Sequence, residues 1–514
     1  MEVINNNQNI FTIAAAVSTI LVSYYLLSNN NKKSNNGFKK IPVPKSKLPY
    51  VGHLLALGDL PEVVVTKWHK ELGPIIKVNM GVQKFVMVSD PYLAHEIFVT
   101  KGTSTSDRPY NTYMTDYYSH GSRGIACSNA NKAWKKARTA ALTFLAPRKV
   151  DAFSDMVARE AQASIHRILT QSEKYGQFNP MDSFQSTSMN VILSTSFGKH
   201  LSPDDPLFKK IVNVVTESLR LAGTASDISG FLPILSFLDV IFRKKRNMEH
   251  FVNKVHNPVM LDLMKEALES EDDSFYKQFY ALKDEYDLDE KDLLVSMSDL
   301  IAAGVDTTSV TLSWLTIILS NNPKVQIKLQ QEIDDFIQKN GRLPNFNERE
   351  QVPYLIAVQR EAMRFRPIGP FGVPHVASQD VIVRDYLIEK GTVIVPSMAA
   401  MHSNPDVYEQ PEVFNPDRFL GNTRTFSASA NGSINDRDQY NFGWGRRICP
   451  GIYLAEMEMF HNVTRLAAYT TIAPPLDKNG NEVPVDLTNA ADGGLVTNPK
   501  PFELRFIPRT DVKL

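Results

Sequence analysis

The ten residues Phe442-Gly443-Trp444-Gly445-Arg446-Arg447-Ile448-Cys449-Pro450-Gly451 constrain this chain more than any other stretch. Two glycines ahead of the cysteine permit a tight loop in which backbone passes close to a flat partner. Backbone amides turned toward one sulfur stabilise its thiolate and lower its basicity. Arg447, two residues before Cys449, is placed to meet an anionic group through charge-assisted hydrogen bonds. Gly451 allows close packing where a helix begins, over Ile452 to Phe460, and a helix N-terminus adds positive potential behind the sulfur. A lone cysteine would read as a buried thiol in a glycine-rich turn, but this composition points to a ligand. Cys127 is the other cysteine of the chain, so a disulfide framework is excluded in practice and a reducing compartment is favoured. Two cysteines cannot by themselves build a four-thiolate zinc or iron–sulfur centre.

A long helical run over 290–320 contains Ala303-Gly304-Val305-Asp306-Thr307-Thr308. Glycine in mid-helix costs about 1 kcal/mol relative to alanine. Gly304 therefore predicts a local opening where Thr307 bonds a carbonyl or a water instead of the helical ladder. Asp306 with Thr307 reads as a proton-delivery pair. Glu361 and Arg364 fall three apart in a helical stretch before Pro367, so they share a face and can pair. Trp134 and Arg138, four apart, also share a helix face, and Lys132, Lys135 and Lys136 give that helix a basic side.

These segments resemble the motifs of the cytochrome P450 family. Phe442, Gly445, Arg447, Cys449 and Gly451 match its haem-binding loop, F-x-x-G-x-R-x-C-x-G, without a gap. The 303–308 stretch is similar to its oxygen-activation signature, A-G-x-D-T-T, and Phe414-Asn415-Pro416-Asp417-Arg418-Phe419 to its P-E-R-F element. The resemblance covers nearly the whole chain, from the proline-rich stretch near residue 42 onward, and is of the microsomal, eukaryotic type, similar to filamentous-fungal members. It implies haem b (iron protoporphyrin IX) with Cys449 as the axial ligand of the iron. It further implies haem contacts from Arg447, Trp134, Arg138, His375, Phe442 and Gly443, and proton delivery by Asp306 and Thr307. Glu361, Arg364 and Arg418 would form a buried triad holding the cysteine loop. Departures are Trp444 where phenylalanine is commoner, Asp417 where glutamate is, and a Ser/Asn-rich insert ahead of the loop. None removes a group that the chemistry needs.

Near the amino terminus, 11–27 (FTIAAAVSTILVSYYLL) is a run of roughly 17 uncharged residues, at the short end of what spans a bilayer. Lys32, Lys33, Lys39 and Lys40 follow it, whereas Glu2 is the one charged side chain before it. This asymmetry predicts a single transmembrane anchor with the body on the cytosolic side. A cleaved signal peptide is disfavoured, because the leading region lacks Lys and Arg and no A-x-A site is convincing. The expected organisation is a lumenal stretch at 1–10, an anchor at 11–27, a linker and Pro-rich hinge at 28–50, and a cytosolic catalytic domain at 51–514. Pro42, Pro44 and Pro49 make the hinge stiff and extended.

The expected fold is mainly α with a minor β region. A hairpin is predicted over 77–89 around Gly81, another β region over 381–395 with a turn at Gly391, and extended chain over 495–506. Helical patterning fills most of 132–300. The Ser/Asn-rich stretch 423–438 reads as a solvated loop. With 514 residues, two or more lobes are the naive expectation. Lys+Arg and Asp+Glu balance at 56 each, so nothing suggests a nucleic-acid binder.

The implied activity is a monooxygenase of the endoplasmic reticulum membrane that inserts one oxygen atom of O2 into a lipophilic small molecule. A steroid or terpenoid is the first expectation and a xenobiotic the second. Because no dinucleotide or flavin motif is visible, electrons are expected from NADPH through NADPH–cytochrome P450 reductase, with cytochrome b5 as a further partner. Substrate-facing positions are expected in 110–125, 297–308, 368–375 and 493–497, where Phe371, Leu495 and Val496 suggest an apolar chamber. Two alternatives stand beside this reading. One is a haem-thiolate isomerase or dehydratase needing no reductase, and the other a haem-binding sensor without turnover.

Overall fold

The longest helix of the computed structural model, which describes residues 37–509, shows how the sequence builds the body. In chain order the longer helices are α1 (Pro61–Leu72), α2 (Lys132–Phe144), α3 (Ser154–Tyr175), α4 (Met181–Phe197), α5 (Pro206–Ala222), α6 (Asn257–Glu269), α7 (Glu290–Asn321), α8 (Pro323–Asn340), α9 (Pro353–Phe365) and α10 (Ile452–Tyr469). Helix α7 begins at a reciprocal cap in which Asp289 and Asp292 each accept the other's backbone N–H. Its 32 residues are apolar enough to cross a membrane, but 72% of the apolar window is buried inside the protein, so α7 is a core helix. Helices α4, α6, α8, α9 and α10 pack against it, and one large apolar cluster runs through them all.

The β structure is gathered to one side. Strands β1 (Ile75–Met80) and β2 (Gln83–Val88) form the predicted hairpin, turning at Gly81 with φ +56°. Strands β3 (His375–Val376), β4 (Val381–Val383), β5 (Tyr386–Ile388) and β6 (Val393–Pro396) follow α9. β6 joins β2 in parallel and β3 in antiparallel register, giving a four-stranded sheet in the order β1-β2-β6-β3. The hairpin of β4 and β5 turns at Arg384–Asp385. The expected turn at Gly391, at φ +79°, is also present and leads the chain into β6. Near the carboxyl end β7 (Thr470–Ala473) pairs with β10 (Arg505–Pro508), and β8 (Ala490–Asp492) pairs with β9 (Thr497–Pro499). Two smaller apolar clusters pack around the sheet side, so the length expressed itself as one large helical core and satellites.

Mainly helical with a minor β region therefore holds. The predicted anchor at 11–27 lies outside the described residues. The proline-rich stretch carries no helix, but it is docked to the body. The Pro42 carbonyl accepts from Lys77 N at 2.8 Å, and the buried Pro44 carbonyl accepts from His53 Nε2 at 3.1 Å. The 423–438 insert corrects the expectation of a solvated loop. It contains a short helix, Phe426–Asn431, with Phe426, Ser429 and Ala430 buried. The Phe426 amide donates to Glu456 of α10 at 2.7 Å, and the fully buried Arg360 of α9 lies over its ring.

Candidate functional site

Between Asp292 and Ser320, α7 is buried on every side except at five residues: Ala302, Ala303, Gly304, Asp306 and Thr307. Ala303 is exposed although Ile301 and Val305 are buried, so a chamber opens onto the helix where its side chains are smallest. Thr307 Oγ1 donates to the Ala303 carbonyl at 2.7 Å, as the sequence suggested. The helix nevertheless runs through without interruption. Gly304 has a different explanation from the local opening expected of it. A Cβ there would stand 2.8 Å from Ile192 Cδ1 and 2.9 Å from Ile192 Cγ1, so glycine lets α4 approach α7. Asp306 turns toward α4, where Gln185 Nε2 donates to its carboxylate at 3.1 Å. Burial raises the Asp306 pKa and the Gln185 bond partly offsets this. Asp306 and Thr307 are neighbours on the open face, but their side chains share no hydrogen bond.

The cysteine loop closes on itself, with Cys449 N donating to the Phe442 carbonyl at 2.8 Å. Gly443 and Gly445 both have positive φ, +76° and +53°. At Gly445 a Cβ would lie 2.2 Å from the Phe98 carbonyl, so only glycine admits that crossing. Burial pushes the Cys449 thiol upward, while a hydrogen bond from the Gly451 amide and the nearby Arg138 guanidinium pull it down. Arg138 donates to the carbonyl of Ile448, next to the cysteine.

Around this loop three buried or half-buried arginines converge with no carboxylate partner among the described residues. Arg447 donates to the carbonyls of Ser106 (2.8 Å), Ile125 (3.1 Å) and Ser128. Trp134 Nε1 donates to the same Ile125 carbonyl at 3.0 Å, and Arg447 lies 4.2 Å from the Trp134 ring centre. Arg108 reaches the carbonyls of Ala126 (2.9 Å), Val373 (2.8 Å) and Pro374 (2.8 Å). Burial first, then Arg108 and Arg138, bring Arg447 down to about 8. His375 donates to the Thr105 carbonyl at 2.7 Å, and burial holds its ring neutral. Lys132 and Lys135 are exposed, while Lys136 pairs with Asp287 at 2.7 Å.

Uncompensated buried cations are costly, so this cluster fits an anionic group between it and α7. A thiol on a tight loop with unpaired cations beside it fits a metal-bearing anionic group. Two residues of this arrangement escaped the sequence reading. Arg108 stands in no motif, and Asp299, one turn before Ala303, ties the two halves together. Its carboxylate accepts from Ile125 N (2.7 Å), Ala126 N (2.9 Å) and Tyr118 Oη (3.0 Å), linking α7 to the segment that Arg447 and Trp134 also grip.

The motif residues behind the loop also come together. Arg364 makes a bidentate pair with Glu361 at 2.7 and 2.8 Å, and Arg418 Nε donates to Glu361 at 3.2 Å. Arg364 also donates to the His402 carbonyl at 2.8 Å, while His402 Nε2 accepts from Tyr440 N at 3.0 Å. The triad thus reaches the cysteine loop through His402.

A sequence profile described as Cytochrome P450 matches residues 42–506. The chain belongs to the cytochrome P450 family of haem-binding oxidoreductases. It is 26% identical over 479 residues to a cytochrome P450 monooxygenase of Armillaria gallica, covering 92% of this chain and 90% of that one. It is 28% identical to cytochrome P450 2D9 of Mus musculus, covering 90% of this chain and 91% of that one. It is likewise 28% identical to a steroid 17-alpha-hydroxylase/17,20 lyase of Ictalurus punctatus, covering 80% of this chain and 81% of that one.

Proposed function

We propose that this protein is a haem-thiolate monooxygenase of the endoplasmic reticulum membrane, acting on a lipophilic small molecule with electrons from NADPH through a membrane-bound reductase. The observation that carries it is the single break in the burial of α7 at 302–307, in a fold where Cys449 and unpaired arginines share one loop region. Cys449 would bind the iron of haem b, and Arg108, Arg138 and Arg447, with Trp134 and His375, would hold its carboxylates. The bound haem supplies reductive activation of dioxygen and transfer of one oxygen atom to substrate.

The chain's own groups do the rest. Asp306, its pKa raised by burial, is the carboxyl group on the open stretch of α7 proposed to pass protons there. The Thr307 hydroxyl, its hydrogen committed to the Ala303 carbonyl, presents lone pairs that accept a hydrogen bond there. The small residues Ala302 to Gly304 would leave room beside the helix for a bound group. A chamber beside these small residues is in keeping with a lipophilic substrate such as a steroid or terpenoid. The relative from Ictalurus punctatus is named for action on a steroid, which supports that order of preference. Cytochrome b5 is the proposed auxiliary donor, and the uncharged 11–27 run the proposed anchor.

Membranes carrying the protein, supplied with NADPH–cytochrome P450 reductase, NADPH and 18O2, test this against panels of steroids and terpenoids. One 18O atom in the product, dependent on both NADPH and reductase, is expected. Turnover of a peroxide without either would favour the isomerase or dehydratase reading.

A further inference from the structure

The two departures from the family's usual loop, Trp444 and the Ser/Asn-rich insert, meet in one place. Arg437, from the insert, is buried and lies 3.9 Å from the centre of the Trp444 ring. Trp444, itself fully buried, also stacks on Tyr440 at 5.3 Å with an interplanar angle of 10°, and Arg437 lies 5.7 Å from the Tyr440 ring centre. Arg437 Nε donates to the Gln439 carbonyl at 3.1 Å, and its Nη2 donates to the Gly443 carbonyl inside the cysteine loop. No carboxylate pairs with Arg437 among the described residues. The stack continues on the far side, where His402 lies 5.3 Å from Tyr440 at 19° and takes the Tyr440 amide hydrogen bond. A buried, unpaired cation is expensive and persists only where its surroundings over-determine it.

We propose that Arg437 is a positioning residue: stacked on Trp444 and bonded to Gly443, it fixes the cysteine loop and places a buried positive charge that favours the reduced state of the site Cys449 forms. This rests on the haem-thiolate reading above and deepens it. Cys449 N closes onto the Phe442 carbonyl, so the carbonyl that Arg437 grips belongs to the same small ring of backbone as the thiolate. One-electron reduction adds a negative charge, which a nearby cation stabilises. A unit charge acting over roughly 10 Å through an effective dielectric of about 20 shifts such an equilibrium about tenfold. Burial lowers the pKa of Arg437 to about 10, which leaves the guanidinium charged at neutral pH. Trp444 serves as the plate against which the guanidinium is held flat, and a phenylalanine there offers a smaller one.

The test uses the full chain with haem loaded, comparing wild type with R437Q, R437M, R437K and W444F. The readouts are the one-electron midpoint potential, by spectroelectrochemistry, and the thermal midpoint. R437Q and R437M are expected to lower the reduction equilibrium constant about tenfold, or about 59 mV for one electron. R437K keeps the charge and is expected to stay within about twofold of wild type. W444F is expected to lower the thermal midpoint with a potential shift smaller than that of R437Q. A loaded R437Q or R437M protein with the wild-type potential would overturn the proposal. If neither neutral variant loads, an R437K protein whose reduction equilibrium constant falls about tenfold, or about 59 mV, overturns the charge assignment by itself. Failure of the wild type to give a thiolate-type carbon-monoxide band would instead strike the haem-thiolate reading, so the two failures are distinguishable.

Discussion

Arg108 illustrates what a single side chain can do without a motif to announce it. Its guanidinium spans carbonyls from 126, 373 and 374, so three remote stretches fix its place, and no local spacing could reveal it. Arg447 and Arg138 were legible because they stand beside recognisable neighbours. Replacing Arg108 by leucine should remove a charge-assisted contact of about 1.5–3 kcal/mol to the bound anion. Haem transfer from the variant to an apo-globin acceptor is expected to be at least about tenfold faster than from wild type. Equal rates would remove Arg108 from the binding set.

Glu458 of α10 makes a second residue-scale case. It is buried against Ser188, and burial raises its pKa from 4.5 to about 8. Because the folded pKa is the higher one, the folded state binds the proton more tightly. The stabilisation is complete below pH 4.5 and is lost as pH rises through about 8. Denaturation midpoints followed from about pH 5 to about pH 9 should fall for wild type and fall less for Glu458→Gln. Parallel curves would show that Glu458 does not carry the proton.

At the scale of elements, the central helix and the insert teach different lessons. The run of α7 was legible as a long helical stretch, and its functional side through the resemblance of 303–308 to the oxygen-activation signature. The reason for Gly304 was not legible, because Ile192 approaches from a helix more than a hundred residues earlier. Glycine in the interior of α7 costs helix propensity, yet a methyl group there collides with a buried side chain. Overpacking of this kind costs about 1–3 kcal/mol, which outweighs the roughly 1 kcal/mol gained from alanine. Gly304→Ala should therefore lower the thermal midpoint, and Gly304→Ala with Ile192→Val should recover part of the loss. Additive effects in that double-mutant cycle would contradict the close approach. The 423–438 insert reads as solvated because its composition is polar. Its buried anchors, Phe426 and Arg437, find partners on α9, α10 and the cysteine loop. The β1–β2 hairpin, by contrast, closes within a few residues and was readable entirely from local sequence.

Over the whole molecule, the site is assembled from pieces far apart in the chain, and the fold's main task is to bring them into register. Asp299 joins the central helix to the 124–126 turn, and that turn meets Trp134 and Arg447. From the other side Glu361, Arg364 and Arg418 hold the segment that leads, through His402, to Tyr440 and the loop. Motif order along the sequence identified most of these groups, while their shared carbonyl partners became visible only in three dimensions. The central proposal is that Cys449 ligates a haem iron. The most direct test is the carbon-monoxide difference spectrum of the reduced, membrane-expressed protein, wild type beside Cys449→Ala. The account predicts a thiolate-type Soret band in the wild type that is absent from the variant. A wild-type protein that binds haem without that band, or a variant that keeps it, would contradict the assignment.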